Sequence, residues 1–203
     1  MRDLIIVGAG GFGREAVWTV ERINSLSQQP TWNILGYADD DPKWTKGDNF
    51  EGYPILGTVE TASKDHPGAS VFIAIGNNVK RADMYRRLRG HDFPALIDPK
   101  AQISPTTEFK HGSFIGAGAV IQVGTDLGKF VLVGSNAVIC HDAVLGDFVN
   151  VGPGTVIAAG VKVGASCSFF ANSCTMPWIT LGENVTVSCG TGVKTDTPAG
   201  AEL

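Results

Sequence analysis

From Ile97 to Val193 every sixth residue is apolar, with one exception, Thr175. The register passes through Ile97, Ile103, Phe109, Ile115, Ile121, Leu127, Val133 and Ile139, and continues through Leu145, Val151, Ile157, Val163, Phe169, Thr175, Leu181, Val187 and Val193. Two residues ahead of these positions runs a second, mostly small series: Ala101, Thr107, Ser113, Ala119, Thr125, Val131, Ala137, Ala143, Val149, Thr155, Val161, Cys167 and Ser173. A helix repeats every ~3.6 residues and a strand every ~2, so neither generates this spacing. A six-residue period specifies the hexapeptide repeats of a parallel β-helix, each hexad making one short strand and one corner of a triangular prism. The apolar residue points inward and the small one fills the space near the corner. Glycine often follows (Gly116, Gly128, Gly134, Gly146, Gly152, Gly164, Gly182), and it is expected there because it reaches backbone angles that cost other residues more. Three hexads make a coil, so the run holds between five and six coils. Burying one such aliphatic side chain contributes roughly 1.5–3 kcal/mol, and each coil touches only its neighbours, so a charge at an inward position is expected to be severely destabilising.

The repeat block divides a chain of 203 residues almost in half, which predicts two domains, residues 1–95 and 96–203. A net charge of -4 with no basic cluster argues against nucleic acid as a partner. Met1 runs directly into a strand-like segment with no positive leader, and no run of about 18 apolar residues occurs, so a soluble cytoplasmic protein without a membrane partner is expected. The four cysteines, Cys140, Cys167, Cys174 and Cys189, all fall in the repeats without a Cys-x-x-Cys pair or histidines at zinc spacing. No metal site is expected, and the cysteines read as small buried residues.

Ahead of the repeats, the apolar run Asp3–Val7 leads into Gly8-Ala9-Gly10-Gly11-Phe12-Gly13 and then a helical segment, Ala16 to Ile23. Strand, glycine-rich turn and helix together suit a phosphate, because the backbone can approach it closely and the helix start offers free N–H groups. A second strand, Asn33 to Ala38, ends in Asp39-Asp40-Asp41-Pro42, carboxylates that serve equally as ribose or base acceptors or as a solvated turn. Lys43 to Gly52 reads as an exposed loop and Tyr53 to Leu56 as a short edge segment. A third strand, Ser70 to Ile75, ends in Gly76-Asn77-Asn78 with Arg81 one helical turn on, and a helix from Val79 to Arg89 follows. The three turns would converge on the carboxyl edge of a parallel sheet, where open α/β sheets bind ligands. One such unit is too short for a dinucleotide fold and suits a single nucleotide, such as a nucleotide diphosphate carrying a sugar.

Of the four histidines, His66, His91 and His111 are accounted for by polar, solvent-facing surroundings. His141 stands at a corner of the prism, outside the inward series, with Asp142 beside it and Asp147 a hexad away. A carboxylate next to imidazole stabilises the protonated ring and suits it to general-base work. The same pair also fits a solvent-facing turn.

Together these motifs resemble the bacterial sugar acetyltransferases of the sialic-acid O-acetyltransferase and UDP-4-amino-sugar N-acetyltransferase family (NeuD/PglD-like), in order and over nearly the whole chain. The resemblance implies an α/β Rossmann-like nucleotide-sugar domain followed by a left-handed parallel β-helix. It also implies a homotrimer with acetyl-CoA between neighbouring helices and a place in surface-polysaccharide biosynthesis. By that likeness Gly10, Gly11, Phe12, Asp39, Asp40 and Gly76 hold the nucleotide sugar. His141 deprotonates the acceptor amine or hydroxyl with Asp142 raising its basicity, and Asn150, Ala171 and Cys189 contact acetyl-CoA.

The chain departs from the family where Phe12 and Asn150 stand at positions often held by histidine, and where bulky Phe170 flanks Ala171. Asparagine can still donate a hydrogen bond to the acetyl oxygen but carries no charge. Family chains also run on past a Pro-Ala-Gly like Pro198-Ala199-Gly200, so the last cofactor contacts are expected either to lie beyond Leu203 or to be missing. A nucleotide-sugar-binding or scaffold protein of the same fold with impaired catalysis is the alternative to an active transferase. An NAD-dependent oxidoreductase would rest on the glycine-rich turn alone.

Overall fold

Leu4, Ile5, Ile6 and Val7 are buried in succession, as a strand covered on both faces requires. The computed structural model describes residues 1–203, in two units, Met1–Leu96 and Ile97–Leu203. The first unit contains β1 (Arg2–Val7), α1 (Gly11–Leu26), β2 (Trp32–Ala38), β3 (Asn49–Phe50), β4 (Tyr53–Pro54), α2 (Val59–Asp65), β5 (Ser70–Ile73) and α3 (Asn78–Arg87). Its three-stranded sheet is parallel, in the order β2-β1-β5.

Helix α1 starts within the glycine-rich turn, five residues before Ala16, and buries Gly13, Ala16, Val17 and Val20, the spacing of one helical face. Helix α2 carries only two buried residues, Val59 and Ala62, too few for a readable period, and is started by the Thr58 hydroxyl accepting the Thr61 N–H at 3.2 Å. The segment expected as an exposed loop ends instead in a hairpin, in which β3 pairs antiparallel with β4. Aromatic packing holds it: Phe50 and Tyr53 set their rings against Tyr37 at 5.1 and 6.5 Å, and Trp44 covers Phe50 at 5.0 Å. His91 is likewise held rather than merely solvated, with Nε2 2.7 Å from the Ser63 hydroxyl. No helix of the chain is long and apolar enough to cross a membrane.

In the second unit each hexad forms a two-residue rung, and each rung pairs in parallel with the rung eighteen residues on, as Val138 pairs with Val156 and Leu127 with Leu145. The result is a β-helix with three flat sheets of six, five and six rungs, counting the rung at Leu96–Ile97. We call the six-rung sheet of Gln102, Val120, Val138, Val156, Cys174 and Gly192 face 1. The sheet of Glu108, Asp126, Val144, Lys162 and Thr180 is face 2, and that of Phe114, Leu132, Asn150, Ser168 and Thr186 is face 3.

The apolar series fills the interior from Ile115 to Val193, and the small series lines it. Hydroxyls in the small series donate to backbone carbonyls, either back along the chain, as Thr125 does to that of Gln122 at 2.7 Å, or into the next coil, as Thr155 does to that of Phe170 at 3.0 Å. Phe109 departs from the expected burial at 39% exposed, because it opens face 2 and has a rung on one side only. Thr175 tolerates burial because its Oγ1 accepts the Ala158 N–H at 2.9 Å.

Two expectations are corrected. The glycines that follow the inward residues are not at the left-handed backbone positions: those lie three residues after each inward residue, in every hexad from 112 to 190, and include Asn136, Asp142, Phe148 and Trp178. Glycine at Gly128 or Gly164 is required instead by close approach, since a Cβ there would lie 2.6 Å from the next coil's backbone. Nor are the cysteines uniformly buried. Cys167, a member of the small series, is buried, Cys140 is half-buried, and Cys174 and Cys189 are exposed because one points outward on face 1 and the other sits in a turn.

Candidate functional site

In the first unit the carboxyl ends of all three strands meet at a cleft of about 300 Å³ lined by Gly8, Asp39, Asp40, Ile75, Lys80 and Met84, among others. Asp39 shapes it, with Oδ2 accepting the Ala9 N–H at 2.7 Å and Oδ1 that of Asp41 at 2.8 Å. Asp40 accepts the Val59 N–H at 3.0 Å and the Arg87 guanidinium at 2.7 Å. Both carboxylates therefore build the loops as well as facing the cleft. Helix α1 begins after Gly10 with no side-chain hydrogen bond at its cap, and a glycine-rich helix start of this kind suits an anion.

At Gly10, Gly11 and Gly76 a Cβ would meet nothing within 4 Å. Packing does not demand glycine there, whereas it does at Gly13, where a Cβ would lie 2.1 Å from the Gly8 carbonyl oxygen. The open glycines leave the room that bound phosphates need. Gly10, Phe12 and Gly76 do not line the cleft itself, and Gly11 lines a second one with Arg14, Trp18 and Tyr37. The Phe12 ring packs edge-on to Phe72 at 6.0 Å. The turn at Gly76 is clamped from beneath by the fully buried Arg81, whose Nη1 donates to the carbonyls of Ile75 at 2.8 Å and Gly76 at 3.0 Å. Burial pulls this guanidinium down to about 9, so it is still charged at neutral pH. Lys80, the cation lining the cleft, carries no sequence signal beyond its place two residues into α3.

In the second unit His141 occupies the corner between faces 1 and 2. Its Nδ1 lies 2.8 Å from Asp142 Oδ2, its backbone N–H donates to Gln122 Oε1 at 3.0 Å, and its carbonyl accepts the Gly160 N–H at 3.0 Å. Asp142 holds a left-handed backbone, φ 60°, which an aspartate tolerates. Imidazole and carboxylate are both solvent-exposed. The Trp178 ring approaches the imidazole edge-on at 6.4 Å. Asp147 is no part of this group: its carboxylate accepts the Lys129 N–H at 2.8 Å and pairs with Lys129 Nζ at 3.3 Å, at the next corner round.

The structure does not bring the remaining expected residues to His141. Asn150 points outward from face 3, opposite the corner that carries His141. Ala171 and Cys189 follow the rungs of face 3 at the corner with face 1, one coil apart, with the Gly190 N–H donating to the Ala171 carbonyl at 2.9 Å. Within one chain the expected base and the expected carbonyl donor lie on different sides of the prism. Trp178 and Gln122 were missed by sequence reasoning. Counting in coils of eighteen places Trp178 on the corner of Asp142, since residues 142, 160 and 178 share it, but does not give the reach of its ring. No group of three His, Cys, Asp or Glu side chains that could hold a metal ion occurs in the structure.

Comparison with known proteins follows the same division. Residues 3–88 match the family described as the PglD N-terminal domain, and residues 124–159 match the bacterial transferase hexapeptide (six repeats). The chain is similar to a histidine-to-asparagine mutant of perosamine N-acetyltransferase from Caulobacter crescentus, solved in complex with CoA and GDP-perosamine. Identity is 25%, TM-score 0.90, and the match covers 100% of this chain and 93% of that one. It is similar also to the acetyltransferase domain of PglB from Neisseria gonorrhoeae FA1090 in complex with acetyl coenzyme A, at 28% identity and TM-score 0.87, over 99% of this chain and 95% of that one. WeeI from Acinetobacter baumannii AYE shares the fold at 22% identity and TM-score 0.70, over 100% of this chain and 96% of that one.

Proposed function

The chain is an acyltransferase of the hexapeptide-repeat class behind a PglD-type N-terminal domain, and we propose that it moves the acetyl group of acetyl-CoA to an amine or hydroxyl of a nucleotide-linked sugar, with His141 as general base. The observation that carries this reading is the 2.8 Å contact of His141 Nδ1 with Asp142 on an exposed corner. With Nδ1–H held by the carboxylate, Nε2 keeps its lone pair on a side chain that is about half exposed. Nε2 takes the acceptor's proton as the acceptor nitrogen or oxygen bonds to the thioester carbonyl carbon. The tetrahedral intermediate collapses with cleavage of the carbon–sulfur bond, and the proton passes from the imidazolium to the departing sulfur of CoA.

Nitrogen is the favoured acceptor atom, because the perosamine enzyme that this chain resembles is an N-acetyltransferase. The nucleotide end belongs in the first unit, supported by the strand-end cleft, Lys80 and the open glycines. Asn150 is the proposed donor to the acetyl oxygen. Since it lies across the prism from His141 in its own chain, a second copy supplies it, as a homotrimer would. In the same assembly Ala171 and Cys189 contact acetyl-CoA.

Release of CoA from acetyl-CoA, with GDP-perosamine or a UDP-linked 4-amino sugar as acceptor, tests the reading. His141→Ala is expected to lower kcat by about 10²–10⁴-fold. Full turnover in that variant, where chemistry limits the rate, removes His141 from the mechanism. Binding of the sugar nucleotide by the native chain without CoA release makes it a binding protein instead.

A further inference from the structure

Trp178 holds a backbone conformation that suits glycine or asparagine, and nothing in its own packing explains why a tryptophan stands there. Its φ is 62°, against 57° to 58° at the equivalent positions Asn136, Asn172 and Asn184. A bulky aromatic residue adopts this region at a cost, and such strain gathers at functional sites. Phe130 and Phe148 share the conformation but recover the cost by packing: Phe130 is fully buried, and the two rings stack 5.3 Å apart. Trp178 is 68% exposed.

The local fold aims the indole. The backbone N–H of Trp178 donates to the Ala159 carbonyl at 2.9 Å, which ties its corner, two coils beyond that of His141, to the corner between them. The ring then turns back over Gly160, where a Cβ would lie only 2.0 Å from the indole. Glycine at 160 therefore clears the path by which the indole crosses a whole coil and ends edge-on to His141, with ring centroids 6.4 Å apart and planes at 67°. Three residues earlier the apolar series breaks at Thr175, whose hydroxyl takes the Ala158 N–H and ties the start of this corner to the coil below.

We propose that Trp178 is a specificity-determining residue for the acceptor, its open indole face being the platform on which the sugar ring stacks while the nucleophile meets His141. The proposal rests on His141 being the base. An acceptor atom that gives its proton to Nε2 brings its own ring beside the imidazole, where the indole stands. The indole face is electron-rich and apolar, and the C–H bonds on one face of a pyranose ring complement it.

Steady-state CoA release by the full chain, varying GDP-perosamine, a UDP-linked 4-amino sugar and acetyl-CoA in turn, tests this in Trp178→Asn and Trp178→Phe. Asparagine relieves the backbone, so Trp178→Asn should melt no lower than the native chain. Its KM for the sugar nucleotide should rise roughly tenfold, with that for acetyl-CoA unchanged, and Trp178→Phe should lie between. An unchanged sugar KM overturns the proposal, and so does a rise in acetyl-CoA KM alone, which would assign the indole to the thioester arm. Equal losses on both substrates with a lower melting temperature reduce Trp178 to a structural residue. Full turnover by His141→Ala in the same assay removes the reading beneath the proposal, a result distinct from failure of the Trp178 variants. Native protein that neither binds nor acetylates either sugar nucleotide overturns the acceptor class, and the proposal with it.

Discussion

Thr175, the one polar residue in the inward series, does for the β-helix what an apolar residue could not. The rung from Val156 pairs with Cys174 but not beyond, and the Ala158 N–H goes to the Thr175 hydroxyl instead of a ladder carbonyl. Thr175→Val restores the apolar pattern and keeps the shape, yet strands that half-buried N–H. A loss of about 1–3 kcal/mol is expected in urea unfolding, with Thr175→Ser retaining most of the stability. A valine variant as stable as the native chain would make the hydroxyl incidental. Tyr37 presents the opposite case. It is fully buried, its hydroxyl has no partner, and burial, then the charge of Glu51, pushes its pKa up to about 12. An unfolded tyrosine titrates near ~10. Between about pH 10 and 12 the unfolded chain has lost a tyrosine proton that the folded one keeps, so the contribution of Tyr37 to stability falls as pH rises through that window. Tyr37→Phe is expected to add about 1 kcal/mol at neutral pH and to remove this residue's alkaline contribution, so that its advantage over the native chain widens as pH rises, whatever Tyr53 and Arg81 add equally to both. Urea midpoints at pH 8 and 11 check both parts. At this scale His141 and Asp142 were legible because they are adjacent in sequence. Trp178 was not, because its contact with His141 depends on a left-handed turn and a vacancy over Gly160.

At the scale of elements, the six-residue period carried the rungs, the inward series and the corners, because each hexad repeats one geometry. What it did not reveal was which residue of a corner turns left-handed and which must be glycine for want of space, since composition shows glycine in both roles. The β3–β4 hairpin was invisible for another reason. Two-residue strands have no period, and this pair is held by Phe50, Tyr53 and Trp44 gathering on Tyr37, contacts made across the chain. Because a coil touches only its neighbours, an interior defect should remain local. Leu145 is 1% exposed and stacks between Leu127 and Val163. Leu145→Ala is expected to cost about 2–5 kcal/mol, and Leu145→Asp more than about 4 kcal/mol. Limited proteolysis should open the coils around residues 127–163 in the alanine variant while the first unit stays protected. Cleavage spread evenly over both units would mean that the chain unfolds as one cooperative body.

Taken whole, the chain carries its proposed base and its proposed carbonyl donor on surfaces that cannot meet. His141 stands at the corner of faces 1 and 2, and Asn150 points out from face 3. The nine residues between them in sequence make half a coil, which carries Asn150 to the side of the prism opposite His141. If the active centre is completed by a neighbouring copy, two inactive chains should repair one another. His141→Ala chains and Asn150→Ala chains are each expected to lose most of their CoA release. Mixed one to one, unfolded and refolded together, they form sites that draw His141 from one parent and Asn150 from the other. In a closed ring with random assortment both residues are native at about a quarter of the sites, so roughly a quarter of native turnover should return. Refolding each variant alone should return nothing. A mixture no more active than its parents would mean that each chain works by itself, and that Asn150, whatever its variant does to stability, is not the donor. Nearly full activity in Asn150→Ala alone would move the oxyanion role to a backbone N–H at the corner of Ala171 and Cys189, and the His141→Ala chain would then find no complement in that partner.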